Sequence, residues 1–287
     1  MLTERQRAIR MSGLGSSEIS SVAGENPFKG PHDVWLVKRG LAEDFGGNGK
    51  TWIGHMLEAP LAHWYAEETG APVRKFGRTV RSKEHPFALA TPDFRRVDFS
   101  RLAECKAVGF RVEHHWDRSR PDGVPPYVLL QGQWQMGIVG IHRLDVVVCF
   151  LSDGEKLIYE LTFDPAIFAS LITIGARFWR LVETGEPPAP DASEACKEVL
   201  QKLYTRPRDE LVPAPDGAAD AFARRLDADD RKEAAKKDAD LASNQLRALI
   251  GDAAGFEGDF GRVTWKPDKN GQRVLRLSPR KEKDKAA

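Results

Sequence analysis

The chain has 287 residues, 41% of them hydrophobic and 30% charged, with a formal net charge of +1 at pH 7. This length suits one large domain, or one domain with an appendage, and the near-neutral balance gives no reason to expect a polyanionic partner from whole-molecule charge. The three cysteines are widely spaced, the N-terminus lacks a signal-peptide-like apolar segment, and no apolar run reaches membrane-spanning length, so composition predicts a cytoplasmic protein with reduced thiols and no membrane association.

Three helices are predicted in the first 70 residues. The first follows a glycine-bounded turn within residues 13–24, where serines cap the helix start and a glycine ends it. The second covers residues 31–38. The third, residues 51–69, has apolar side chains at helical spacing and Gly70 as its stop, although Pro60 predicts either a start near that residue or a kink.

The residues at the start of the first helix are suited to binding an anion. Its free backbone N–H groups and serine hydroxyls can hold a phosphate, and Arg10, seven residues before Ser17, could complete such a pocket. The alternative is an ordinary N-cap with a surface arginine. These residues alone leave both interpretations open.

Strands and helices alternate from residue 72 to residue 184. Strands are predicted at 72–80, 87–94 and 101–108, then a helix at 125–140, a strand hairpin at 144–151 and 156–163, and an amphipathic helix at 165–184. A segment rich in proline then breaks the chain, and the main domain is predicted to end there. The two predicted domains are residues 1–188 and 189–287.

The predicted C-terminal domain is an arm of charged helix and hairpin. A short helix at 192–204 and a linker at 207–217 precede a long helix at 218–250, whose charges alternate in sign as in a solvated helix or one packed on another subunit. Residues 262–277 predict a β-hairpin that turns at Asn270–Gly271, and a basic tail follows.

Positive charge is concentrated in two stretches despite the neutral total. Residues 71–111 contain ten Lys and Arg against four Asp and Glu, and residues 262–285 contain nine against three. The first stretch also contains a carboxylate cluster. A basic surface around carboxylates indicates a substrate that carries phosphate.

That cluster consists of Asp93, Glu104 and Lys106. Glu104 and Lys106 are two positions apart, so their side chains leave the same face of a strand, and Asp93 comes from the strand before. Two carboxylates supply oxygen ligands for Mg²⁺ or Mn²⁺, and an ammonium group can orient or activate water. The alternative is that the three residues are ordinary surface charges.

Two flanking helices offer further polar groups. Glu58 lies off the apolar stripe of its helix, where it either faces solvent or reaches a metal held by the cluster. Gln131 and Gln135 are one turn apart on an apolar helix and need polar partners. They either make a core hydrogen bond or contact the nucleophilic water and the phosphate.

Taken in order, these motifs resemble those of lambda-exonuclease and YqaJ-type phage recombination nucleases in the PD-(D/E)XK superfamily. The resemblance spans roughly residues 5 to 185 and rests on Arg10, Gly13–Glu18, Gly54-x3-Glu58 leading to Thr69-Gly70, Thr91-Pro92-Asp93, Glu104-x-Lys106, and Tyr127-x3-Gln131-x-Gln-x-Gln135 with Gly140. It implies an α/β fold of the restriction-endonuclease-like type, with a mixed central sheet flanked by helices.

The resemblance also implies an activity and partners. The expected activity is Mg²⁺-dependent 5′→3′ digestion of one strand of linear double-stranded DNA from 5′-phosphorylated ends, with Mn²⁺ as a substitute cation. The product would be a 3′ single-stranded overhang for recombination by strand annealing. The expected partners are double-stranded DNA ends, two further copies of the chain in a homotrimeric ring, and a single-strand annealing protein.

Carried over by position, the family's metal site falls on four residues. Asp93 and Glu104 would be the principal metal ligands, Glu58 would contribute on the side of a second metal, and the Cys105 carbonyl would complete the shell. Lys106 would position the attacking water and help to deprotonate it.

The remaining family positions concern substrate. Gln131 would orient the water or the scissile phosphate, and Arg10, Ser17 and Thr91 fall where the family holds the 5′-phosphate. Phe94 departs from the family's glycine after the aspartate, which puts in doubt the turn beside a metal ligand.

Two other functions remain open on this fold, a restriction-type endonuclease and a protein that only binds DNA, because a fold does not fix an activity. An iron–sulfur nuclease would need four clustered cysteines, and the three here are scattered.

Overall fold

The computed structural model describes residues 4–43, 49–204 and 209–280. The chain divides into two units, residues 1–207 and 208–287. The division differs from the predicted boundary after residue 188, because α7 (Glu194–Leu203) packs against α3 (Pro31–Lys38) in the first unit. The proposed C-terminal arm therefore lacks this helix.

The first unit begins with four helices: α1 (Glu4–Met11), α2 (Ser16–Val22), α3 and α4 (Gly49–Thr69). The predicted start of α4 near Pro60 is wrong, since the helix is continuous through that residue. Proline removes one helical hydrogen bond. The burial of Leu61, Ala62 and Tyr65 directly after it supplies packing that offsets this loss.

A five-stranded mixed sheet forms the centre of the unit, in the order β1-β4-β5-β6-β7. Its strands are β1 (Val73–Lys75), β4 (Phe94–Arg96), β5 (Leu102–Val108), β6 (Arg143–Phe150) and β7 (Lys156–Thr162). Strands β5 and β6 are parallel and the other neighbours antiparallel. The parallel pair requires a crossover, which contains α5 (Pro126–Val139) and a 3₁₀ turn (Glu113–His115).

The long strands predicted at 72–80 and 87–94 are each broken in two. Besides β1 and β4, these stretches form the short strands β2 (Val80–Arg81) and β3 (Leu89–Ala90), which make a separate two-stranded sheet. Gly77 interrupts the first stretch with a φ of +72°, and Pro92, which has no N–H to donate, interrupts the second. Sequence alternation alone does not reveal that two sheets share these segments.

Helices cover both faces of the central sheet, which confirms the predicted α/β class. Leu61 and Tyr65 of α4 pack with Phe94 and Val147 on one face. On the other face, α5 contributes Val128 and Met136 to the larger cluster that fills the space above β5, β6 and β7. The residues of one strand alternate between these two clusters, as the pleat requires.

The orientation of α4 on the sheet is fixed by a buried polar contact. The Tyr65 hydroxyl donates to the carboxylate of Asp145 on β6 and accepts from Arg96 Nε at 2.7 Å. Arg101 also pairs with Asp145, which is 1% exposed. A buried carboxylate with two guanidinium partners is satisfied, and the contact holds the helix that carries Glu58.

Helix α6 (Pro165–Thr184) is long and apolar enough to cross a membrane, by length and composition only. It packs as a core helix: Leu171, Phe178 and Val182 are buried in a cluster with Trp35 and Trp134. Asp164 caps its start by accepting hydrogen bonds from two backbone N–H groups.

The second unit contains the predicted charged helix and hairpin. Helix α8 (Ala218–Ile250) is exposed over almost its whole length. Strands β9 (Gly261–Pro267) and β10 (Arg273–Pro279) form the predicted hairpin, and β8 (Gly255–Gly258), which was not predicted, adds a third antiparallel strand. The basic tail from residue 281 onward lies outside the described residues.

Candidate active site

Asp93 and Glu104 meet where β4 and β5 separate. The two strands pair through only two residues each, ending at Ala103 on β5. Beyond that point Cys105 donates its backbone N–H to Asp93 Oδ2 at 3.0 Å instead of to β4. The split in the sheet thus places a carboxylate against a strand backbone that is no longer paired on that side.

Phe94, the departure from the family pattern, lies beside this split. It is 8% exposed and packs with Leu61 and Tyr65 of α4. Its backbone is in register with both neighbouring strands. The aromatic ring extends the core under α4, so it anchors the strand end that follows Asp93.

The Glu104 carboxylate is held by three donors. Lys106 Nζ and Gln131 Nε2 donate to Oε1 at 2.8 and 2.6 Å, and Gln135 Nε2 donates to Oε2 at 2.9 Å. Gln131 Oε1 in turn accepts from Lys106 Nζ at 3.1 Å. Gln131 and Gln135 therefore find their polar partners in the carboxylate cluster, and a contact with water or phosphate stays a prediction.

Burial and repulsion shape the electrostatics of the cluster. Burial, together with the charge of Glu104, raises the pKa of Asp93 to about 8, although Lys106 and the Cys105 N–H act in the opposite direction. Burial lowers the pKa of Lys106, but the two carboxylates outweigh it and the net shift is upward. One ammonium group is thus too little positive charge for two buried carboxylates.

Glu58 lies next to the cluster but is turned to other partners. Its Oε1 lies 2.8 Å from His55 Nδ1 and its Oε2 lies 3.7 Å from Lys75 Nζ. Its backbone carbonyl accepts from Cys105 Sγ at 3.6 Å. In the described part of the chain, ligand atoms of Glu58, Asp93 and Glu104 are not all within 4.8 Å of one another, so Glu58 is a neighbour of the two-carboxylate centre.

A cavity of about 160 Å³ adjoins the cluster. The residues that line it come from the N-terminal segment, the small sheet and α5: Arg10, Gly15, Ser16, Ser17, Thr79, Leu89, Thr91, Gln131 and Gln135. The three residues predicted to hold a 5′-phosphate are therefore brought together, and Gln131 connects them to the Glu104 site. Arg10 Nε donates to Glu18 Oε1 at 3.3 Å, and the hydroxyls of Thr91 and Thr79 lie 2.9 Å apart.

Sequence reasoning missed Ser16, Thr79 and the role of Gln135. Among the described residues, Ser16 Oγ and Gln135 Oε1 are buried polar atoms with no hydrogen-bond partner, and both residues line the cavity. Unpartnered buried polar atoms are rare in folded proteins, and a polar ligand in the cavity would give these two atoms a partner. The spacing of Gln135 from Gln131 was a usable signal, whereas nothing in the sequence distinguishes Ser16 from Ser17.

Comparison with known proteins identifies the domain that contains this site. Residues 7–142 match the model of the YqaJ-like viral recombinase domain. This part of the chain is therefore similar to the YqaJ-like viral recombinase domain. Every site residue from Arg10 to Gln135 lies within the matched span, and the family recognised from the ordered motifs is confirmed.

Relatives of the YqaJ-like domain agree with this result. The chain is 25% identical over 263 residues to the uncharacterized protein YqaJ of Bacillus subtilis (strain 168), covering 90% of this chain and 81% of the relative. It is similar to the crystal structure of an alkaline exonuclease, LHK-Exo, from Laribacter hongkongensis, with a TM-score of 0.54 and 20% identity over 71% of this chain and 99% of the other. The structure of LHK-Exo in complex with dAMP matches with the same TM-score and identity, over 71% of this chain and 98% of the other. These matches support the nuclease-type fold of the YqaJ-like domain.

Proposed function

We propose that the protein is a Mg²⁺-dependent 5′→3′ exonuclease that digests one strand of linear double-stranded DNA from 5′-phosphorylated ends. The product is a 3′ single-stranded overhang for recombination by strand annealing. One observation carries the proposal: the Asp93–Glu104–Lys106 cluster opens beside a polar cavity that contains Arg10, inside a YqaJ-like domain.

The donor set of the cluster fits a hard divalent cation. Asp93 and Glu104 offer carboxylate oxygens, and burial together with the charge of Glu104 raises the pKa of Asp93, an effect that a cation would counter. The Cys105 N–H points toward Asp93, and in a strand the carbonyl of the same residue points to the same side. We therefore assign Mg²⁺, or Mn²⁺ in its place, to Asp93, Glu104 and the Cys105 carbonyl, with Glu58 on the side of a second ion.

A bound Mg²⁺ supplies hydroxide at neutral pH and neutralises charge on the leaving oxygen. The side chains of the protein position the reactants. The two carboxylates raise the pKa of Lys106, so we propose that its ammonium donates to water or phosphate, a positioning role beside the deprotonation that the resemblance implies. Gln131, bonded to both Lys106 and Glu104, keeps the donor groups aligned at the mouth of the cavity.

The cavity gives the reaction its direction. Arg10 contributes positive charge, and the hydroxyls of Ser17 and Thr91 contribute hydrogen bonds to a terminal phosphate. Because the cavity adjoins Gln131, a strand whose 5′-phosphate occupies it has its first phosphodiester close to the cluster. A strand without that group loses the contacts that hold it in register.

We further propose that the protein acts as a homotrimeric ring together with a single-strand annealing protein. Side chains near the start of α4 support a contact with another protein, because Trp52, Ile53 and Met56 are apolar yet 64%, 38% and 57% exposed. Exposed apolar side chains grouped on one helix are typical of interfaces.

Digestion of a linear duplex, labelled at each end of one strand in turn, tests the proposed function. With Mg²⁺ present, we expect release of label from the 5′ end first and resistance of covalently closed circular duplex. Cleavage of the circle would identify a restriction-type endonuclease. Binding without any cleavage would identify a DNA-binding relative.

Replacing Gln135 by methionine is expected to weaken the dependence on Mg²⁺. The substitution removes the donor to Glu104 Oε2 and replaces the amide side chain by an apolar one of similar shape. Loss of a group that orients a metal ligand typically costs about 10–100-fold in metal affinity. The Mg²⁺ concentration that gives half-maximal digestion should rise by that factor.

Gln133→Met is the matched control for this experiment. Gln133 lies on the same helix, but it donates to the Thr162 backbone carbonyl and accepts from the Asp164 backbone N–H. Its replacement should lower the free energy of unfolding and leave the Mg²⁺ dependence unchanged. An equal shift of Mg²⁺ dependence in both variants would show that Gln135 has no specific part in the site.

A further inference from the structure

A second group of potential metal ligands lies where α7 packs on α3. One ligand atom each from His32, Asp191 and Cys196 lies within 4.8 Å of the other two. None of the three lines the cavity beside the cluster. We propose that these residues bind a transition-metal ion of the zinc class, at a structural site separate from the proposed nuclease centre.

The hydrogen-bonding pattern of His32 supports a cation at this position. Its ring has an acceptor at each nitrogen: Asp191 Oδ2 is 3.3 Å from Nδ1, and the Pro188 backbone carbonyl is 3.1 Å from Nε2. A neutral imidazole has one N–H, and with that proton donated to Pro188 the Nδ1 lone pair faces a carboxylate oxygen. In that tautomer, a metal ion between these two atoms would be bound by both, and coordination would replace their repulsion.

The spacing of these two atoms agrees with a tetrahedral ion. Nitrogen and oxygen ligands about 2.0–2.2 Å from Zn²⁺ lie about 3.3–3.6 Å apart in a tetrahedral arrangement. The observed separation of His32 Nδ1 and Asp191 Oδ2 is 3.3 Å. An imidazole, a carboxylate and a thiolate are the ligand types of zinc and cobalt, and a thiolate disfavours Mg²⁺.

The surroundings orient each ligand as in known metal sites, where outer hydrogen bonds fix the inner ligands. Pro188 holds the His32 ring through Nε2. Ser193 donates its N–H and its hydroxyl to Asp191 Oδ1, which lowers the pKa of the Asp191 carboxyl and leaves Oδ2 to the metal. The Cys196 N–H donates to Ser193 Oγ, which places the third ligand.

The site also has an open side. His32 and Cys196 are 1% and 2% exposed, whereas the Asp191 side chain is 37% exposed. A cavity of about 550 Å³ lies beside Asp191 and Cys196 and gives an ion a path of entry and a fourth, water ligand. Binding releases the thiol proton of Cys196 to solvent, since the thiolate is the ligand form.

A metal at this place would fix α3 at its first turn. The last turn of α3 carries Lys38, which pairs with Glu18 Oε2 at 2.8 Å and donates to the Arg10 carbonyl at 2.6 Å. The same helix therefore connects the proposed metal site with the segment that lines the cavity. The role of the metal is to hold the helix, and it takes no part in hydrolysis.

Cobalt titration of the full-length chain tests the proposal, after removal of metals with a chelator. Cobalt(II) bound by a thiolate gives a ligand-to-metal charge-transfer band in the near ultraviolet, which a carboxylate site does not give. We expect one equivalent of cobalt to develop this band and zinc to abolish it. The band should persist in Cys105→Ala and Cys149→Ala and disappear in Cys196→Ala, with the far-ultraviolet circular dichroism unchanged.

Asp191→Asn serves if Cys196→Ala fails to fold. This variant keeps an acceptor for the hydrogen bonds from Ser193, and it leaves the Cys196 thiol in place. We expect its affinity for cobalt to be at least about 10-fold below that of the wild-type chain. The proposal is overturned if the wild-type chain gives no band, if Cys196→Ala retains it, or if Asp191→Asn binds cobalt as tightly as the wild-type chain. The first result would identify the contact of His32 with Asp191 as a hydrogen bond without a metal.

Discussion

Replacing Lys106 by alanine is expected to reduce digestion of 5′-phosphorylated linear duplex by about 10²–10³-fold, the usual loss when one preorganised hydrogen-bond donor is removed from a reaction centre. Lys106 Nζ bridges Glu104 Oε1 and Gln131 Oε1 and is the cation nearest to both carboxylates. Its removal leaves the hydrolytic water without this donor. DNA-end binding should change only a few-fold, because the cavity that we assign to the phosphate is formed by other residues. Digestion rates and end binding in a gel-shift assay with Ca²⁺ measure the two effects.

Stability must be separated from catalysis in this experiment. Glu104 is 6% exposed, and without Lys106 it depends on two glutamine donors, so the Tm of the variant is expected to fall. Glu104→Gln removes the charge and keeps the shape, and it should lose digestion without that fall. Lys236→Ala, on the exposed helix α8, controls for the loss of a lysine and should digest normally. A Lys106→Ala protein that digests at the wild-type rate would remove this residue from the mechanism.

The sequence predicted which polar side chains share a face because that information is local. Glu104 and Lys106 share a strand face at a spacing of two, and Gln131 and Gln135 share a helix face at a spacing of four, so periodicity alone places each pair. The structure adds that the two pairs meet. Their contact depends on the crossover between β5 and β6, which local patterns do not encode.

Features that depend on long-range packing were not predicted. Phe94 was expected to disturb a turn, but it packs under α4 through contacts with residues about 30 positions away. Helix α7 was assigned to a C-terminal arm because a proline-rich break precedes it, although Val199 belongs to the core cluster of the first unit. His32 and Asp191 are separated by 159 positions, so no spacing rule connects them.

Glu58 shows that a sequence motif can predict the position of a residue without predicting the partners of its side chain. Its position on α4 agreed with a family motif, and the helix brings it close enough to raise the pKa of Asp93. The side chain nevertheless pairs with His55 and Lys75. A motif fixes which position carries the carboxylate, whereas the side chains around it decide its rotamer.

Ends with a 5′-phosphate are expected to be digested about 10–100-fold faster than ends with a 5′-hydroxyl. A charge-assisted hydrogen bond to a buried phosphate contributes about 1.5–3 kcal/mol, and each 1.36 kcal/mol is tenfold in rate. Arg10 and Thr91 line the cavity that we assign to this group. Paired substrates that differ only in the terminal phosphate measure the ratio in single-turnover reactions, in which product release plays no part.

Variants of the cavity show whether it is the source of that preference. Thr91→Val keeps the shape and removes the hydroxyl, and Arg10→Ala removes the charge while Glu18 keeps its contacts with Lys38 and Gly15. Each should slow digestion of phosphorylated ends and leave the rate for hydroxyl ends nearly unchanged, so that the ratio falls toward one. Arg224→Ala on α8, an exposed arginine outside the domain, should keep the ratio. Equal digestion rates for both kinds of end in the wild-type protein would mean that the cavity does not recognise the phosphate and that other residues set the direction. Equal slowing of both kinds of end in the variants would assign Arg10 and Thr91 to general binding of the DNA backbone, since such contacts act on every substrate alike.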